Sequence, residues 1–251
     1  MTHIHVLLKK EEIEPDKLKG EAVIVLDVLL ATSTIALALS YGAKAVIPVL
    51  NDIDAHRLSA QYHPDEFVLV GEKEGRVIDG FLPPNPSLLK SYVKDKIVIL
   101  ATTNGTVALN RSIGAEIIYP ACLRNGEAVT RDVVSHLKPG QKIIIVCSGS
   151  SNQFCLEDFY GAGYLISCLR DQLRGPFTIN DAGLAAEVLF HSNAGAYDLL
   201  IQSAVGEFIL SHGFEEDVRE VVELGVDHVV PIYQNKQITK KGAVRSGTNK
   251  A

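Results

Sequence analysis

Four carboxylates, Asp27, Glu72, Glu157 and Asp158, stand close to three short polar clusters: Thr32-Ser33-Thr34, Thr102-Thr103-Asn104-Gly105 and Ser148-Gly149-Ser150. Carboxylate oxygens are hard donors of the kind Mg2+ accepts. Hydroxyl, amide and glycine residues just ahead of helices present backbone N–H groups and the positive end of the helix dipole, which suits a phosphate or sulfonate. An anion cradle beside such carboxylates points to phosphoryl chemistry. Each feature also has an ordinary role: Ser and Thr cap helices, and Glu157-Asp158 complements the dipole of a first turn. Asp27 is the exception, because a carboxylate ending an otherwise apolar strand has to meet water, a cation or donors.

The elements that must position these groups follow from periodicity. In AVIVLDVLLATSTIALALS (22–40), residues 22–29 form the continuous apolar run of a strand buried on both faces. From Ser33 onward Ile35, Leu37 and Leu39 fall in a helix-length segment ending at Gly42. The stretch is therefore a strand, a turn and a helix. A bilayer span would bury Asp27 near its middle at roughly 2.5–3.5 kcal/mol. Shifted by 72 positions, TIALALSYGAKAVIP (34–48) overlies TVALNRSIGAEIIYP (106–120) with seven identities, so one strand-turn-helix-strand unit occurs twice. Its tail recurs as GVDHVVP (225–231), which predicts three helices stopping at Gly42, Gly114 and Gly225 and three strands closed by Pro48, Pro120 and Pro231.

Further strands are predicted at 66–71, 96–101 and 142–147, with helices near 123–137, 155–171, 181–191 and 215–224. This alternation predicts an α/β fold of three layers, mainly parallel sheets with flanking helices. HLKPGQK (136–142) divides the chain into two intimate lobes, 1–138 and 139–235, followed by a basic tail, 236–251. GFLPPNPSLL (80–89) reads as a loop, either a lid edge or an interlobe crossing. In such a sheet ligands bind where strands end, which selects Asp27, Glu72, the 102–105 cluster and the 148–150 cluster.

A net charge of −6 argues against a nucleic-acid surface, and it leaves an anionic small substrate in need of a locally basic or metal-bearing pocket. The four cysteines show no CxxC spacing, and MTHIHVLLKK lacks a signal core, so a reducing cytoplasm is the expected home, with no membrane partner. A homo-oligomer is left open. Cys147 reads as a small buried hydrophobe, and the eight histidines form no HExxH or ligand pair. No GxxxxGK[ST] loop or GxSxG elbow occurs, and Ile166 stands where a dinucleotide fingerprint needs its third glycine. NTPase, Rossmann oxidoreductase and serine hydrolase readings all weaken accordingly.

Six ordered blocks resemble the 2-phosphosulfolactate phosphatases, the ComB family: VIVLDVLLATSTI (23–35), GEKEGRVIDGF (71–81), VILATTNGT (98–106), VCSGSSNQFCLEDFYGAG (146–163), NDAGLAA (180–186) and EEDVREVVELGVDHVVP (215–231). The resemblance implies a Mg2+-dependent hydrolase releasing phosphate from (2R)-phospho-3-sulfolactate, a small anionic organophosphate tied to coenzyme M or sulfolactate metabolism. Taken with the placement of the carboxylates at strand ends, this makes Asp27, Glu157 and Asp158 the catalytic candidates and Asp27, Glu72 and Asp158 the metal candidates, with Mg2+ expected on Asp27 and either Glu157 or Asp158. Ser33, Thr34, Arg76, Thr102, Thr103, Asn104, Gly105, Ser148, Gly149 and Ser150 are the substrate-binding candidates, with Lys73 and Arg124 as weaker cations. Two departures stand out. Leu30 occupies the place where the family commonly has an arginine, and FLPPNPSLL keeps only Asn85 and Pro86 of the usual sequence there. The contrasting reading is an altered-specificity or non-catalytic protein that binds an organic phosphate or sulfonate.

Overall fold

The computed structural model describes residues 1–73, 75–192 and 195–242. In chain order its main elements are β1 (Thr2–Leu7), β2 (Ala22–Leu26), α1 (Ala31–Ser40), β3 (Ala45–Val49), α2 (Asp52–Ser59), β4 (Phe67–Lys73) and β5 (Arg76–Val77). Then come α3 (Pro86–Leu89), β6 (Ile97–Ala101), α4 (Gly105–Arg111), β7 (Ile117–Ala121), α5 (Gly126–His136) and β8 (Lys142–Cys147). The chain closes with α6 (Leu156–Gln172), β9 (Phe177–Ile179), α7 (Asp181–Phe190), α8 (Ala196–Leu200), α9 (Ala204–Ser211), α10 (Glu215–Val221), β10 (Pro231–Gln234) and β11 (Gln237–Lys240).

The fold is α/β, a mixed and mostly parallel sheet flanked by helices. Among the described residues eleven strands run in the order β5-β4-β6-β3-β11-β10-β7-β2-β8-β1-β9, antiparallel only around β5 and at the β10–β11 hairpin. Strands from either side of residue 138 interleave, since β8 pairs with both β1 and β2, so a division there leaves no break in the sheet. Part of the predicted tail is structured. Gln237–Lys240 pairs with β10 and β3 and buries Ile238 completely, after a turn in which Asn235 and Lys236 adopt left-handed backbone. The rest of that tail, 243–251, lies outside the described residues.

Alternation along β2 explains its uniform burial. Val23 and Val25 join a core with α1, α4 and residues of β3, β4 and β6, while Ile24 and Leu26 join another with α5, α6 and α7. The two repeated units superpose in kind: α1 and α4 lead to left-handed Gly42 and Gly114, then to β3 and β7. The third copy differs. Gly225 is left-handed, but Pro231 begins β10, which pairs antiparallel with β7. The GFLPPNPSLL segment is pinned rather than loose: Thr34 Oγ1 donates to Pro84 O at 2.6 Å, and Asn85 Nδ2 donates to the buried Asp217 at 2.7 Å.

Candidate active site

Asp27 is the residue after β2, and the turn behind it is tied to it. The Thr32 hydroxyl accepts from Asp27 N and donates to Asp27 O, each at 2.9 Å, and Asp27 Oδ1 accepts from Ala31 N at 3.2 Å. Oδ2 faces the start of α4. A Cβ on Gly105 would stand 2.7 Å from that oxygen and 2.6 Å from Ala31 Cβ, so only glycine lets the two segments approach this closely.

Asp158, in the first turn of α6, accepts from Val28 N at 2.8 Å and from Gly149 N at 3.0 Å. It thereby ties the segment after β2 to the segment after β8. Gly149 has left-handed backbone (φ +64), and a Cβ there would meet Gln153 O at 2.5 Å. Glu72 performs a similar task on the other side, accepting from Thr103 N and Gly75 N, both at 2.8 Å, and from the Thr103 hydroxyl at 3.1 Å. Glu157 is only 2% exposed, and its Oε2 has no hydrogen-bond partner among the described residues.

These four carboxylates line one cavity of about 500 Å3 together with Thr102, Thr103, Asn104, Gly149 and Ser150. Among the described residues no lysine, arginine or histidine lines it. The electrostatic cost is visible in the acids themselves. Burial pushes Asp27 up to about 7, the charges of Glu72 and Glu157 add to the rise, and the N–H groups of Ala31 and Gly105 oppose it. Burial also raises Asp158 well above the usual aspartate value, helped by the Asp27 and Glu157 charges, and it raises Glu157. Cys155, at the same cavity, is pushed far up by burial first and by those acids second, which removes it as a thiolate nucleophile.

Several expected residues serve elsewhere. Ser33 and Thr34 are fully buried and donate to Val28 O and Pro84 O; they build the turn and do not line the cavity. Arg76 is exposed on β5, while Val77 beside it lines the cavity, since successive side chains of a strand point to opposite faces; Gly75, in the left-handed turn before the strand, lines it too. Lys73 lines a smaller cleft of about 180 Å3 beside it. Arg124 is engaged by Asp227 and Glu223. Gly105 and Ser148 stand behind the lining, and Ser148 O accepts from the buried Lys10 ammonium at 3.4 Å. That lysine was not expected. It also donates to Asn104 Oδ1 at 2.9 Å, which turns the Asn104 amide toward Ser150 Oγ, 3.4 Å away. Asn85 and a set of phenylalanines complete the lining, and no local sequence signal marks them.

Among the described residues, no three His, Cys, Asp or Glu side chains are grouped as a ready-made ion cage. Mg2+ rarely needs one, since one or two carboxylates usually hold it with waters and substrate phosphate. A purely oxygen donor set, mutually repelling acids and the unpartnered Glu157 oxygen fit such an ion.

A family model described as 2-phosphosulpholactate phosphatase matches residues 7–236. The chain is 34% identical over 226 residues to a probable 2-phosphosulfolactate phosphatase of Symbiobacterium thermophilum, covering 89% of this chain and 95% of that protein. A namesake from Carboxydothermus hydrogenoformans is 36% identical over 220 residues, covering 86% and 89%. One from Clostridium acetobutylicum is 30% identical over 237 residues, covering 94% and 99%.

Proposed function

The chain belongs to the 2-phosphosulfolactate phosphatase family and is a hydrolase of the phosphatase class, and we propose that it is a Mg2+-dependent phosphomonoesterase that hydrolyses (2R)-phospho-3-sulfolactate. The observation that carries this reading is the cavity in which four carboxylates meet and no cationic side chain lines the wall among the described residues. A phosphate dianion cannot enter such a field unless positive charge comes with it.

Asp27 and Glu157 would hold the ion. Mg2+, when bound, neutralises the substrate's anionic oxygens and makes phosphorus more electrophilic. Asp158 and Glu72 also position the neighbouring loops, through hydrogen bonds accepted by both oxygens of each. The Thr102–Asn104 and Gly149–Ser150 segments supply hydroxyl, amide and backbone donors to phosphoryl oxygens. A carboxylate of this group takes a proton from the attacking water, whose oxygen bonds to phosphorus as the ester P–O bond breaks. The leaving alkoxide recovers a proton from the carboxyl group that accepted it from water.

Phosphate release from 2-phospho-3-sulfolactate, followed with Mg2+ and with a chelator, tests this directly. Release that requires the ion and matches sulfolactate one for one is the expected result. No release with Mg2+ present ends the assignment.

A further inference from the structure

The cavity has two kinds of lining, and the reaction accounts for only one. The acids and donors come from the strand ends and from the starts of α4 and α6. A second set of segments contributes Leu30, Val77, Phe154, Val205, Phe208 and Phe214. Of these, Val77, Phe154 and Phe208 are 49%, 48% and 42% exposed, and they line one cavity together instead of standing scattered over the surface. The aromatic groups are held in place. Phe154 meets Phe159 edge-on at 5.2 Å, and Phe208 lies against Gly75 and beside His212 at 4.2 Å.

Size and charge agree with this division. A volume of about 500 Å3 lies in the range of sites built for ligands much larger than a three-carbon acid. The hydroxyl, amide and backbone donors lie with the polar segments, whereas among the described lining residues of the second set there is no lysine, arginine or histidine for a second strong anion, and the polar ones beside Phe154 are the uncharged Ser151 and Gln153. A sulfonate lying there would lose water and gain no cationic partner from the described lining. An apolar group would lose nothing and cover the phenylalanines.

We propose that this cavity takes phosphomonoesters whose alcohol carries an apolar group about the size of a phenyl ring, seated against Leu30, Val77, Phe154, Phe208 and Phe214. The proposal rests on the phosphomonoesterase reading and names a substrate class beyond the family's own. The chemistry is unchanged: water's oxygen bonds to phosphorus, the ester P–O bond breaks and the released alkoxide takes a proton.

The test compares 2-phospholactate, 2-phospho-3-phenyllactate and 2-phospho-3-sulfolactate as substrates with Mg2+, alongside calorimetric binding of methylphosphonate and benzylphosphonate. The phenyl ester is expected to exceed the methyl ester in kcat/KM by about tenfold or more, and benzylphosphonate to bind tighter by a similar factor. Phe208→Ala should shrink both ratios. A sulfonate ester turned over better than the phenyl ester, or equal binding of the two phosphonates, overturns the proposal. If no ester releases phosphate, the phosphomonoesterase reading is what fails, and the phosphonate pair then decides the apolar preference by itself.

Discussion

Around Arg124 buried charge faces opposite charge, whereas around Asp27 buried charges face one another. The Arg124 guanidinium donates from Nε to Asp227 at 2.7 Å, donates to Glu220 O at 2.6 Å and pairs with Glu223, while Tyr41 donates to the Glu220 carboxylate at 2.5 Å. The cluster fastens α10 and the chain after it to the start of α5, and its guanidinium is paired with carboxylates of the fold itself, Asp227 and Glu223. The Asp27 cavity holds four acids and no cation among the described lining residues; burial raises Asp27, Asp158 and Glu157, and neighbouring acids add to the rise of the first two. Charge that serves the fold is paired by the fold. Charge left unpaired at a cavity wall awaits a partner from solution, which is the physical mark of a site.

The sharpest way to break this contrast is at Asp27. Asp27→Asn keeps the shape and the Ala31 contact but removes the charge, and it should lower kcat by about a thousand-fold while the fold persists. A steady-state assay beside a thermal melt reads both; near-normal turnover would place the chemistry elsewhere. Arg124→Met probes the other side. It strands Asp227, which is 17% exposed, but Glu223 at 54% exposed can turn to water, so the loss should be about 3 kcal/mol, the lower end for a broken buried pair. Urea unfolding measures it. Turnover per folded molecule should stay near wild type, because Arg124 does not line the cavity.

The same contrast explains what could be read in the sequence. Asp27 was legible because it interrupts an apolar run, and Glu157-Asp158 because it opens a helix beside a polar cluster. β2, β6 and β8 were legible as β-branched runs, whereas β1 escaped because His3 and His5 alternate with Ile4 and Val6. The hydroxyls of Ser33 and Thr34 looked like ligands, yet their partners are carbonyls at Val28 and Pro84 that only the folded turn supplies, as Asp27 O is for Thr32. Lys10 and Asn104 meet across 94 positions, and the β10–β11 hairpin enters the sheet between β3 and β7. Such long-range pairings leave no periodic trace in the chain. Arg76 failed as a substrate cation for a local reason: in an extended pair only one of two neighbours can face the cavity, and Val77 has that place.

The smallest effect refines the comparison through pH. Between 3.8, the ordinary aspartate value, and about 7, the folded chain keeps a proton at Asp27 that the unfolded chain has released. Stability of the metal-free protein therefore falls as pH rises through that window, because folding must then place an unwanted charge in the cavity. Asp158 and Glu157, raised by burial, act in the same direction. Glu187, held low by its pairing with Arg170, acts oppositely but only below its ordinary value of 4.5, so it does not mask the trend near neutrality. Melting in chelator should drop between pH 5 and pH 8 by a few degrees, at about 2–4 °C per kcal/mol for a chain of this size. Added Mg2+ should restore more of the loss at pH 8 than at pH 5, since binding favours the ionised acids. Asp27→Asn should flatten both responses, while Arg124→Met lowers the melting temperature at every pH without changing the slope. A metal-free protein that grows more stable from pH 5 to pH 8 would mean that the cavity acids are not the buried, mutually repelling set on which the site rests.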